Sequence, residues 1–203
     1  MKLANTTNKK QGHRSDSQAV IPLIPKKLTE TERQQITRKQ YKLKVDPDNK
    51  DSTNEYKVTI ECFSNNLPNA AERLCKMCEE FPTIFKGQGI EEKPNAMHQL
   101  VLTILKDEAK TSYENAVRAA CEATENGPRI FPTRDIINEG LAKVKELVMP
   151  VGARRKQAAC LRRHLGKPAS MSVASYVHRI QVLSRYLVFF PGSRGSLPED
   201  EVV

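Results

Sequence analysis

From Leu67 onward apolar residues recur every three or four positions, and this spacing limits the fold more than any other feature of the chain. A period near 3.6 places such residues on one face of an α-helix. Ala71, Leu74, Cys75, Cys78 and Phe81 form the first stripe, with Pro68 suited to its first turn. Pro82 interrupts it, so Ile84 and Phe85 are expected beyond a kink or break. Gly87-Gln88-Gly89 reads as a turn. Pro94 opens the next helix, with Met97, Leu100, Val101, Ile104 and Leu105 on its apolar side. The stripe continues from Asp107 to Ala123 through Ala109, Tyr113, Ala116, Val117 and Ala120, whose small residues allow close helix packing. Asn126-Gly127-Pro128 ends it.

Thr133 is an expected N-cap, with Asp135 complementing the dipole of the first turn. Ile136, Ile137, Leu141, Val144, Leu147 and Val148 give that helix its stripe. Pro150-Val151-Gly152 separates it from a basic helix over 153–165, whose narrow apolar face is Ala158, Leu161 and Leu165. Gly166-Lys167-Pro168 reads as a turn. Ser170 or Ser172 caps a last helix, with Val173, Tyr176, Val177, Ile180, Leu183 and Leu187 as its buried stripe.

The chain before Leu67 has a different pattern. Residues 1–28 are rich in Lys, Thr, Gln, Ser and Asn and show no period, so they read as a disordered basic arm. Thr29 followed by Glu32 is a capping-box pattern, which predicts a short helix within 29–39. Tyr41–Val45 and Tyr56–Glu61 alternate apolar and polar residues, as strands do. Asp46–Asn54 between them is turn-rich, so the pair reads as a β-hairpin with Tyr56, Val58 and Ile60 facing one side.

Hydrophobic residues make up 38% of the chain. An ordinary domain has roughly 45–50%, so a core is not expected over the whole length. The first 19 residues hold no signal-peptide apolar region. The longest apolar runs, Ala19–Ile24 and Leu187–Phe190, are far short of the roughly 20 residues that cross a bilayer. A cytoplasmic location is the expectation, and the Asn5-Thr6-Thr7 sequon is read as unused.

Charge is unevenly placed. Residues 1–44 hold 11 Lys/Arg and 3 Asp/Glu, residues 45–140 hold 11 and 17, and residues 141–203 hold 11 and 4. Basic ends around an acidic middle suggest an anionic partner at the ends, or attraction between copies. Arg154, Arg155, Lys156, Arg162, Arg163 and Lys167 fall within 14 positions and form the candidate nucleic-acid-binding set. Contacts from such cations to phosphates weaken with salt and carry no sequence information. The alternative is that these cations pair with the acidic middle.

Catalytic and metal motifs are lacking. Gly166-Lys167 is not a phosphate loop, because Leu161 and Pro168 stand where Gly and Ser/Thr are needed. Cys75-Lys76-Met77-Cys78 has no second ligand pair nearby, so it reads as part of an apolar helix face. The odd total of five Cys suggests thiols in a reducing compartment. His98 reads as a residue at the edge of its apolar stripe. Glu91-Glu92 and Asp107-Glu108 are adjacent in sequence and do not share a helix face. The expectation is therefore no catalytic site, no metal, no cofactor and no small-molecule substrate.

Segments of this chain resemble the capsid region of retrotransposon Gag proteins. Leu161–Pro168, then Met171–Val177, then Arg179–Leu183 match the family's basic helix, turn and Ser-Val…Tyr-Val core. Tyr186-Leu187…Phe189-Phe190-Pro191 and Leu197–Glu201 are similar to one branch of it. Upstream, Gly87–Ile90, Met97–Val101, Leu105–Ala109 and Tyr113 resemble the first-lobe helices. The resemblance spans roughly 41–203. The expected fold is mainly α, with helical Gag capsid-like lobes preceded by a short β-hairpin and the basic arm. It divides the chain into an arm at 1–40, a first lobe at 41–127 and a second lobe at 128–203. That second lobe reads as incomplete, because Glu199-Asp200-Glu201 looks like the first turn of a further helix. It implies a non-enzymatic structural protein of a transposable element that assembles as a homo-oligomer and packages RNA. Other readings are a stand-alone basic helical nucleic-acid-binding protein and a helical adaptor domain. The sequence shows no membrane partner.

Overall fold

A computed structural model describes residues 20–47, 49, 51, 53–122, 132–163 and 166–192. Among the described residues the chain forms seven α-helices and one two-stranded sheet. The expected order therefore holds: a mainly helical protein with a short hairpin before its main helices.

The first helix, α1 (Glu30–Gln35), starts as its capping box dictates. Thr29 Oγ1 accepts from the Glu32 amide, and the Glu32 carboxylate accepts from the Thr29 amide. Strands β1 (Lys39–Lys44) and β2 (Glu55–Ile60) pair antiparallel, with Tyr41 opposite Val58. Tyr56, Val58 and Ile60 are buried and their neighbours exposed, as alternation requires. The Tyr56 hydroxyl donates to the carbonyl of Ala96 at 3.3 Å.

Helix α2 (Ala70–Gly87) runs unbroken through Pro82. Of the expected kink or break, the break does not occur. Pro82 is exposed, so its ring points away from the core and only one backbone bond is lost. Phe81 and Phe85, stacked with ring centroids 5.3 Å apart, keep the buried face continuous across it.

Helices α3 (Pro94–Ile104) and α4 (Asp107–Glu122) are separate elements, although the apolar stripe runs on between them. The chain turns where Phe63 forms a short parallel bridge to Leu105. The Phe63 amide donates to Ile104 O and the Lys106 amide donates to Phe63 O, both at 2.8 Å. Asp107 takes a φ of 53° there, a region that Asp tolerates better than most residues.

Helix α5 (Arg134–Val148) is capped by Thr133, whose hydroxyl accepts from the Ile136 amide. It packs closely on α4 because residue 140 is glycine. A Cβ there would lie 2.7 Å from two Tyr113 ring carbons and 2.9 Å from Val117. Helices α6 (Ala153–Arg163) and α7 (Val173–Tyr186) follow, and a 3-10 turn (Leu187–Phe189) closes the described chain.

Residues from both expected lobes belong to one hydrophobic cluster, from Ile60, Leu74 and Leu100 to Ile137, Val144 and Leu183. Each large aliphatic side chain buried there contributes about 1.5–3 kcal/mol. The boundary expected at 127/128 lies outside the described residues, as do residues 1–19 of the expected arm and 193–203 of the expected second lobe.

Two further expectations are corrected. Residues 20–28 are not part of a featureless arm: Ile21 and Leu23 are among the most buried side chains. On α7, burial is confined to the C-terminal end, at Leu183, Tyr186 and the following Leu187. Val173 is 66% exposed and Val177 47%, and Tyr176 and Ile180 are only partly covered. The apolar spacing is present, but among the described residues Val173 and Val177 are left largely uncovered, while Tyr176 and Ile180 pack at the edge of the core.

Candidate nucleic-acid interface

Helix α6 begins after a turn in which Gly152 takes a φ of 76°, a conformation that glycine adopts without steric cost. Its buried side is Ala153, Gln157 and Cys160, while Ala158 and Leu161 pack at the edge of the core. The expected face of Ala158, Leu161 and Leu165 is thus displaced by about one residue, and Leu165 lies outside the described residues.

Gln157 is the residue that the sequence did not single out. It is fully buried, and its amide holds the N-terminal segment. Oε1 accepts from the amides of Val20 at 3.0 Å and Ile21 at 2.9 Å, and Nε2 donates to Ile21 O at 3.1 Å. Leaving such a buried group unpaired costs about 1–3 kcal/mol. The only local sign of it is a neutral amide spaced four residues after Ala153 and three before Cys160.

The predicted cations divide by position. Arg155, Lys156 and Arg162 are exposed on α6. Arg154 is half-buried, and its Nε is enclosed without a hydrogen-bond partner. Arg163 occupies the last residue of α6. Lys167 sits in the turn before α7, where its ammonium donates to Pro168 O at 3.3 Å and Met171 O at 2.9 Å. Two of its three donors are therefore engaged in shaping that turn.

Electrostatics separates α6 from α7. On α7, Arg179 pairs with Glu72 and Arg185 with Glu79, both acids of the acidic middle. Among the described residues, no carboxylate lies within ion-pair distance of Arg154, Arg155, Lys156 or Lys167. Residues 153–163 contain no acid, and Arg154, Arg155 and Lys156 fill the first turn. The helix dipole disfavours cations there, so it gives no reason for their position.

Other reactive side chains are occupied by packing. Cys75 and Cys78 are buried on α2, and burial pushes both thiols up. A thiol in that state is a poor nucleophile and a poor metal ligand. Among the described residues, no group of three or more His, Cys, Asp or Glu could hold a metal ion. His98 accepts or donates at 2.9 Å with the Tyr113 hydroxyl, and burial lowers its pKa. Within the same residues no helix is long and apolar enough to cross a membrane.

No family model matches the chain, and neither a curated protein nor a solved structure matches it.

Proposed function

We propose that this chain is a non-enzymatic, Gag-like structural protein of a retrotransposon that binds RNA through α6 and assembles with copies of itself in the cytoplasm. The observation that carries the reading is the set of exposed cations on α6 with no carboxylate on the helix. On α7, by contrast, Arg179 and Arg185 are paired with carboxylates of the same chain. Those at the start of α6 oppose the helix dipole and suit an external polyanion instead. Such contacts position a phosphate backbone without reading its bases.

Self-association is supported by the uncovered apolar side of α7. Val173 and Val177 are exposed on one helical stripe of α7, next to half-covered Tyr176 and Ile180, and Val188 is exposed in the 3-10 turn that follows. Surfaces of this kind mark contact sites between proteins, and identical patches on two copies are met by twofold symmetry. The opposite charges of the middle and C-terminal segments would steer copies together.

Size-exclusion chromatography with light scattering, at low and moderate salt and with added RNA, tests both halves. Large RNA-dependent particles are expected. A monomer that binds RNA would replace the assembling protein by a stand-alone nucleic-acid-binding one. A monomer indifferent to RNA would overturn the reading of α6.

A further inference from the structure

Residues 20–26 lie against the body of the molecule as a peptide lies in a groove. Gln157 on α6 accepts from the amides of Val20 and Ile21 and donates to Ile21 O. Arg179 on α7 donates to Pro22 O at 2.9 Å and to Leu23 O at 3.0 Å. Asn69, just before α2, accepts from the Lys26 amide at 3.0 Å and donates to Lys26 O at 2.9 Å. These bonds all join side chains of the body to the main chain of the segment. Ile21 and Leu23, at alternate positions, are buried, while Ile24 is exposed. Main-chain hydrogen bonds together with pockets for alternate side chains are a recurring way of holding a peptide.

The link from this segment to the rest of the chain is barely packed. None of residues 24–40 is buried. Helix α1 falls within that stretch and buries none of its six residues, and so short a helix is marginal without packing. Residues 27–38 reach at most about 40 Å when extended, and a folded chain of this length is about 40 Å across. The groove of a touching copy is within that reach.

We infer that, in the assembly, residues 20–26 of one copy fill the groove of a neighbouring copy. This rests on the self-association proposed above and names a contact within it. The same bonds form in either arrangement, so contact energy does not choose between them. Concentration does. In a dilute monomer the tethered segment is present at about millimolar effective concentration and has no competitor. In a particle the neighbours' segments are crowded to a similar level, and each exchange links two copies.

The test uses the full chain with a benzophenone amino acid in place of Ile24, which is exposed next to buried Leu23. On illumination such a probe joins covalently to whatever lies beside it. This light chain and an equal amount of isotopically heavy chain without the probe are refolded together from urea, which removes any kinetic barrier to exchange. Part is kept dilute and part is assembled on polyuridylic acid. Mass spectrometry of the joined peptides tells whether the α2, α6 or α7 partner is light or heavy. Light-only pairs are expected in the dilute monomer. In particles, light segments joined to heavy grooves should rise to about half of the pairs, the statistical share for random neighbours. Light-only pairs in particles would overturn the exchange and leave the assembly standing. Pairs to residues outside α2, α6 and α7 would overturn the groove. Absence of particles would overturn the assembly and the exchange with it.

Discussion

Arg179 on α7 grips Glu72 on α2 with both ends of its guanidinium, and the same group donates to Pro22 O and Leu23 O. One side chain therefore ties three distant parts of the chain together. The side chains are only 14% and 18% exposed, so the pair is well shielded from water and salt.

Removing one partner of a shielded pair leaves the other charge without compensation. Arg179→Met should therefore cost about 2–4 kcal/mol in urea unfolding. The milder Glu72→Gln keeps an acceptor and should cost less. A loss below about 0.5 kcal/mol in Arg179→Met, the range of an ordinary surface change, would mean that the pair does not hold the N-terminal segment.

Gly140 is the closest approach of α4 and α5. Gly140→Ala adds a methyl group 2.7 Å from the Tyr113 ring, and ring and helix must move apart to fit it. Overpacking of this kind costs about 1–3 kcal/mol, which exceeds the roughly 1 kcal/mol of helix propensity gained. A lowered thermal midpoint is expected. A raised one would show that the two helices separate freely.

Val177→Asp tests the exposed side of α7. A buried valine changed to aspartate would unfold the domain, but Val177 is 47% exposed. The substitution should shift stability by no more than about 0.5 kcal/mol. It should also reduce self-association in sedimentation at high protein concentration. A large drop in the thermal midpoint would place Val177 in the core after all.

That contrast shows which features the sequence made legible. The Thr29 cap, the β2 alternation and the Thr133 cap depend on neighbours within a few residues, and local pattern reveals them. Periodicity also locates the stripe on α7, but a stripe says only which face is apolar, not whether anything covers it. Gln157 and Ile21 are 136 positions apart, and Arg179 and Glu72 are 107 apart. No local spacing announces such partners, so a charge surplus at the C-terminal end could not be sorted into paired and unpaired cations. The candidate cations on α6 were visible by composition. The buried amide that brings the N-terminal segment to them was not.

His98 supplies a pH dependence. Burial holds its pKa below the ordinary value, opposed by the nearby Glu114 carboxylate. The neutral ring can accept from the Tyr113 hydroxyl 2.9 Å away, and protonation of Nδ1 removes that acceptor. The unfolded chain, with an ordinary His near about 6.5, therefore takes up its proton first as pH falls. Stability from this site is complete above that value and is lost as pH drops toward the lower folded one. Urea midpoints between about pH 7 and pH 5 should fall more steeply for the native chain than for His98→Gln, which does not titrate. Parallel curves for the two proteins would show that His98 is not buried as a neutral ring.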